Sequence, residues 1–237
     1  LFRSDDALAV DGNGSRPADG TCITHCTFNT SVNALRVYTG LDPGMAPEDS
    51  ARAVVRNLVM ADCTVANAAG VVNVTAENGL IENLTVCSIA ARMEQEGTVF
   101  FLMNMNGRIR DVRFTAVTAH CNGAATIVGT EATPLEGIVL DDVRFRVRPK
   151  RKWHGLGMPD PVPAYGHHHF APFSLFVRHA RGVRLRDVSF AWEESDAATA
   201  DSPLKLRNVE DVVVDGFEGS ALGADPGVPV MDFVDVR

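Results

Sequence analysis

The chain has 237 residues, of which 46% are hydrophobic, and its formal net charge is −8. No run of residues approaches the roughly 18 apolar positions that a membrane-spanning helix needs. The negative charge argues against a nucleic-acid partner. We therefore expect neither a membrane nor a nucleic acid as a partner.

A short phrase returns along the chain, and it reads hydrophobic-x-Asp/Asn-hydrophobic-x-hydrophobic. Close and looser copies, in chain order, are Ile23–Phe28, Met60–Val65, Ile81–Val86, Ile109–Phe114, Leu140–Phe145, Leu185–Phe190 and Val213–Phe217. Self-similarity at a spacing of roughly 20 to 45 residues indicates a stack of supersecondary units, none of which buries its apolar face alone. Because each copy is a strand, the pattern predicts an all-β solenoid, the parallel β-helix.

A second set of apolar strands accompanies these copies. Its members are Ser4–Val10, Ala34–Tyr38, Gly70–Thr75, Thr98–Met103, Ala124–Val128, Phe173–Arg178, Pro203–Arg207 and Pro229–Val234. Gly, Asn and Asp bound the strands, as expected of turns between the sheets of a solenoid. The two sets together give about eight rungs, which at about 4.8 Å per rung form a rod of about 40 Å.

Alternation within the strands predicts which side chains point inward. The expected interior ladder of one sheet contains Leu35, Val37, Val72, Val74, Ile127, Leu175, Val177, Leu204 and Leu206. The same alternation leaves Arg36, Arg178, Lys205 and Arg207 on the outer face. We also expect the polar residues of the repeat to occupy turns along a single line of the solenoid. These are Asp62, Asn83, Asp111, Asp142, Asp187 and Asp215.

We interpret residues 1–237 as a single β-helix domain, and as a piece of a longer chain because no capping segment is readable at either end. Residues 148–172 interrupt the stack with Pro, Gly, aromatic and charged residues, which predicts a loop insertion over one face.

The five cysteines have no metal-ligand spacing, and the consecutive histidines His167–His169 splay apart. We therefore expect neither a metal nor a cofactor. Cys26 and Cys63 occupy the same position in successive rungs, where we expect stacked thiols in preference to a disulfide.

One segment resembles a known family. Ser4–Val10, which carries Asp5 and Asp6, is followed by Cys22–Phe28, and together they resemble the catalytic strands of the polygalacturonase family of glycoside hydrolases. The late rungs around Phe173–Phe190 also look like those of polygalacturonase-like bacterial proteins. The resemblance implies a right-handed parallel β-helix of the pectin lyase-like kind, secretion or a periplasmic location, and Asp5 and Asp6 as catalytic carboxylates.

The chemistry of paired carboxylates agrees with this role. Glycoside hydrolysis requires one carboxyl group that donates a proton and a second that activates water or attacks carbon. Repulsion between adjacent carboxylates lets them hold different protonation states. The family adds a third Asp from the preceding rung, which would lie before Leu1. The simpler alternative is that Asp5 and Asp6 form a turn or a strand cap.

The sequence departs from the family at two positions. Asn33 stands where the family has the His of a Gly-His-Gly strand, and Val71–Thr75 stands where it has Arg-Ile-Lys. In the family, the Arg and Lys of that segment hold the carboxylate of the substrate. Arg36 could take over this role, since a guanidinium matches the fork of a substrate carboxylate. Its alternative is a solvated surface ion pair. We expect Asp5, Asp6, Asn33, Arg36 and Asn73 to share one concave surface, with Arg178 and Lys205 extending it as a basic track.

The insertion supplies two aromatic candidates for contact with sugar rings, Trp153 and Tyr165. The alternative is a loop that only packs across the helix. The favoured function is an inverting glycoside hydrolase acting on a uronic-acid-containing, pectin-like polysaccharide. A non-catalytic carbohydrate-binding or adhesion β-helix is the second hypothesis, and a uronan lyase or epimerase is the third.

Overall fold

A computed structural model describes residues 6–14, 16–42, 44–149, 158–160, 162, 170–193, 201–221 and 227–237. Its strands are all paired in parallel, and one 3-10 helix spans Pro47–Arg52 in this part of the chain. The prediction of an all-β parallel β-helix is confirmed.

The first sheet is built from one strand per rung. It contains β1 (Leu8–Gly12), β5 (Asn33–Thr39), β7 (Gly70–Ala76), β9 (Phe100–Asn104), β11 (Ala125–Val128), the starts of β13 (Leu175–Trp192) and β14 (Leu204–Asp215), and β16 (Met231–Val236). Each strand pairs in register with its equivalent on the next rung. The first strand begins later than predicted, at Leu8, so that Asp6 precedes it.

The remaining strands form the other sides of the solenoid. They are β2 (Ala18–Asp19), β3 (Cys22–Thr24), β4 (Thr27–Asn29), β6 (Val54–Asn67), β8 (Leu80–Arg92), β10 (Arg108–Cys121), β12 (Leu135–Val147), the later parts of β13 and β14, and β15 (Glu218–Gly219). The long strands stay paired with their neighbours on both sides of each bend. The backbone therefore turns corners without leaving the stack.

Residues in the left-handed backbone conformation make those corners. One line of them contains Gly20, Asn57, Asn83, Asp111, Gly137, Gly182 and Asp211, and a second contains His25, Asp62, Ser88, Ala116, Asp142, Asp187 and Gly216. Asn, Asp and Gly tolerate positive φ better than other residues do, which explains the polar repeat. The expectation of a single line was wrong. Asn83 and Asp111 lie on the first line, Asp62, Asp142 and Asp187 lie on the second, and Asp215 only neighbours the corner residue Gly216.

The interior is a set of apolar ladders. All nine residues predicted to line the first sheet are completely buried, and they lie opposite one another or opposite Phe100, Leu102 and Ala125 on neighbouring strands. Phe100 on this sheet stacks on Phe114 of β10, with ring centroids 3.9 Å apart. The ladders of the two sheets therefore meet across the core.

Ala116 offers a test of the corner geometry. It is exposed, with a φ of 52°, a conformation that costs an L-residue about 1–2 kcal/mol. We expect Ala116→Gly to raise the free energy of unfolding by about 1 kcal/mol, measured by denaturant unfolding, because glycine adopts this conformation without strain. Ala90→Gly is the matched control. Ala90 is also exposed but has no left-handed φ, and glycine there should lower stability. Equal destabilisation by both changes would contradict the role assigned to the corner.

Candidate functional site

Asp6 lies just before the first strand of the first sheet and is held there by Asn33 of β5, the strand on the next rung. Its Oδ1 accepts hydrogen bonds from the backbone N–H of Asn33 at 3.2 Å and from Asn33 Nδ2 at 2.7 Å. Gly70 is the register partner of Asn33, and a Cβ at Gly70 would lie 2.4 Å from Asn33 Oδ1. A side chain there would displace the amide, so glycine makes room for the group that orients Asp6.

Arg36 joins two carboxylates on the outer face. Its Nε lies 3.6 Å from Asp6 Oδ2, and its Nη2 donates to Asp11 Oδ2 at 2.7 Å. The Asp6 side chain is 10% exposed, whereas those of Arg36 and Asp11 are each 39% exposed. The guanidinium also lies over the ring of Tyr38, 5.4 Å from its centroid. A partly exposed cation is therefore held between two acidic side chains.

Tyr38 and Glu77 continue this cluster. The Tyr38 hydroxyl donates to Glu77 Oε2. Burial, together with this hydrogen bond and the charge of Glu77, raises the pKa of Tyr38 to about 12. A Cβ at Gly40 would lie 2.3 Å from the hydroxyl oxygen, so glycine again leaves space for a polar group. The phenol therefore stays a neutral donor at ordinary pH.

Asn73 completes the predicted group. It is the register partner of Arg36 on β7, and its Oδ1 accepts a hydrogen bond from the Thr75 hydroxyl at 3.0 Å. Asp6, Asn33, Arg36 and Asn73 thus lie at the start or on the outer face of three adjacent strands. The structure brings these four predicted residues together. Asp5 lies outside the described residues.

The predicted basic track does not continue from this group. The outward residues that pair in register along the first sheet form columns. In the column that contains Arg36 and Asn73, the next outward residue is Phe101, which is buried. Arg178 is also buried. It donates hydrogen bonds to the backbone oxygens of Met158 at 2.6 Å and Pro159 at 2.7 Å. Burial and the charge of nearby Asp160 act in opposite directions on the pKa of Arg178, and burial, which lowers it, is the larger effect.

Lys205 does lie in the Arg36 column, several strands further on. Its side chain is only 14% exposed, and it forms an ion pair with Asp201. In its present conformation it is a paired cation beyond an apolar stretch, not a continuation of the Arg36 surface. The candidates Trp153, Tyr165 and His167–His169 lie outside the described residues.

A cleft on another part of the solenoid was not anticipated from the sequence. A cleft of about 430 Å³ lies beside a corner of the late rungs. His179, with φ of 49°, is largely buried there, and its Nε2 is 2.9 Å from Asp160 Oδ2. This hydrogen bond is the main cause of a lowered pKa at Asp160. Other residues lining the cleft are Thr130, Glu131, Arg181, Asn208, Glu210, Asp235 and Arg237.

Three further findings bear on the class of site. Among the described residues, no group of three or more His, Cys, Asp or Glu side chains is arranged to hold a metal ion, and no helix is long and apolar enough to cross a membrane. All five cysteines are described and are free thiols. Cys26 and Cys63 do occupy equivalent positions on adjacent rungs. Burial raises the pKa of the Cys63 thiol.

Sequence reasoning missed Asp11, Tyr38 and Glu77. The signal for Tyr38 was available, because it lies two residues after Arg36 and so shares its face of the strand. Asp11 could not be identified without knowing how β1 and β5 align. It lies opposite Tyr38 only when Leu8 pairs with Leu35. Glu77 follows the end of β7, so the alternation of side chains along the strand does not predict the direction of its side chain.

Comparison with protein families, curated proteins and solved structures gives no match to this chain. The fold and the geometry of the site are therefore the basis for the function proposed below.

The titration of Tyr38 tests the polar cluster. A Tyr whose folded pKa is raised from about 10 to about 12 contributes stability that is complete below pH 10 and is lost as pH rises towards 12. In a Tyr165→Phe variant, which leaves Tyr38 as the sole tyrosine, we expect phenolate absorbance to appear near pH 12. Adding Glu77→Gln should move this titration to lower pH, because the neighbouring negative charge is removed. A midpoint near 10 before that change would contradict the cluster.

Proposed function

We propose that this chain is a polysaccharide-active β-helix protein, an inverting glycoside hydrolase acting on a uronic-acid-containing, pectin-like polysaccharide. The observation that carries the proposal is the contact of Arg36 with both Asp6 and Asp11 on the outer face of a parallel β-helix. A guanidinium can bind the carboxylate of a uronic acid, while nearby carboxylates can serve proton transfer.

Asp6 fits the role of the carboxylate that activates water. Its Oδ1 accepts two hydrogen bonds from Asn33, and its Oδ2 faces Arg36, so both oxygens are placed as acceptors. The proton donor would then be Asp5, the other carboxylate of the predicted catalytic pair, or Asp11. Asn33 acts as a positioning residue, since it holds Asp6 through both its backbone and its side-chain amide.

Arg36 and Asn73 are proposed to hold the substrate. Their side chains are register partners on adjacent strands, which lie about 4.8 Å apart. A sugar carboxylate at Arg36 would leave a neighbouring hydroxyl within reach of the Asn73 amide. We also propose secretion or a periplasmic location, where such polysaccharides occur.

A non-catalytic binding protein is the second candidate. It is favoured by the low exposure of Asp6 and by Asn33, an amide that cannot transfer protons as the family's His can. In this case the same face would bind uronic-acid chains without cleaving them. Separate measurements of turnover and binding distinguish the two candidates.

Replacing Asp6 with Asn should abolish most turnover. We expect the rate of reducing-end release from polygalacturonate to fall about 10²–10⁴-fold, the usual range for a general acid–base group, with affinity changed only slightly. Asp142→Asn is the matched control, because Asp142 is a corner residue on another side of the solenoid and Asn tolerates its conformation. Turnover retained by Asp6→Asn would contradict the catalytic role of Asp6, whereas binding without turnover in the unaltered chain would leave the binding protein.

Replacing Arg36 with Ala should weaken the binding of acidic oligosaccharides selectively. Loss of a charge-assisted contact predicts about a tenfold or larger fall in affinity for galacturonic-acid oligomers, measured calorimetrically. Neutral galactose oligomers should lose little. Arg56→Ala is the control, since Arg56 forms a similar exposed ion pair with Asp19 on β6 and β2. An equal loss for acidic and neutral oligomers would contradict the assigned clamp.

A further inference from the structure

The outer face of the first sheet changes character between β7 and β9. In the column containing Arg36, the partly exposed Asn73 is followed by Phe101, which is 4% exposed. In the next column, the partly exposed Thr75 is followed by Met103, which is 1% exposed. Both columns therefore pass from polar and accessible to apolar and buried at the same strand.

The buried stretch is closed by residues from the connection between β12 and β13. Met158 and Ala171 pack on outward side chains of the sheet and form an apolar cluster separate from the interior core. We call this cluster the apolar cover, and its members are Phe101, Met103, Val128, Met158, Ala171 and Phe176. Met105 and Val162 pack against it. The cover spans β9, β11 and the start of β13.

Polar contacts fix the cover in place. Arg178, whose side chain is 7% exposed, donates to the backbone oxygens of Met158 and Pro159. Asp160, the next residue of the same segment, contacts both Arg178 at 3.8 Å and His179 at 2.9 Å. A buried arginine that loses its acceptors is strongly unfavourable, so these contacts hold the segment against the sheet.

We propose that the apolar cover ends the surface on which a saccharide binds, so that the site at Arg36 receives the end of a uronic-acid chain and not its interior. This inference rests on the proposed function. Arg36 on β5 and Phe101 on β9 are two strand spacings apart, about 10 Å. That length accommodates roughly a disaccharide. A longer chain lying along the sheet would then meet the segment that packs over Phe101, and that segment occupies the space that a further sugar would need.

The length dependence of binding tests this inference. Galacturonic-acid oligomers of several defined lengths, and long polygalacturonate, would be titrated against the intact chain. If the protein binds chain ends, the affinity per chain should stay constant once the oligomer is long enough to reach from Arg36 to the cover. Each long chain should then bind one protein. Affinity that grows with the number of sugar units, with several proteins per long chain, would overturn the inference and leave the proposed function standing. Absence of binding to every oligomer would overturn the proposed function, and the inference with it.

Weakening the hydrogen bonds that hold the apolar cover should change the number of proteins bound to each long chain. In Arg178→Met the apolar stem is retained but the hydrogen bonds to Met158 and Pro159 are lost. We expect long chains to bind more than one protein in this variant. Arg207→Met is the matched control, because Arg207 is the register partner of Arg178 on β14 and pairs with Asp232 outside the cover. Binding of long chains through their ends only, in a folded Arg178→Met variant, would contradict the role of the cover. If that variant fails to fold, the length series on the unaltered chain still decides.

Discussion

Pairing of each strand with its equivalent one rung away is the constraint on which the rest of the structure depends. Parallel pairing continues through the bends of β6, β8, β10 and β12 because single residues turn the backbone in the left-handed conformation. One αL residue changes direction without adding a loop, so the rungs remain in register. That register places Asp6 beside Asn33, and Arg36 beside Asn73. The site is thus a consequence of the stacking.

Much of the architecture could be predicted because it follows from local periods. Alternation identified interior residues such as Leu35 and Val74, and the tolerance of Asn and Asp for turns identified the corners. The number of corner lines was not predictable from the repeat phrase alone. Asn83 and Asp62 have the same place in that phrase, yet they turn different corners, because the phrase fits both bends of a long strand.

The candidate site was only partly predictable for a different reason. Contacts across strands, such as Arg36 with Asp11, depend on the register between β1 and β5, which no local period specifies. The cover was also missed, although a signal for it existed. Thr98–Met103 contains consecutive apolar residues, which is the pattern of a strand buried on both faces.

The proposed binding site for uronic-acid chains is the outer face of the first sheet at Arg36. A crystal structure of the chain with a bound galacturonic-acid oligomer is the decisive measurement. We expect a sugar carboxylate within hydrogen-bond distance of the Arg36 guanidinium, and a chain that ends before Phe101. An oligomer bound in the cleft beside His179, or on another side of the solenoid, would contradict it.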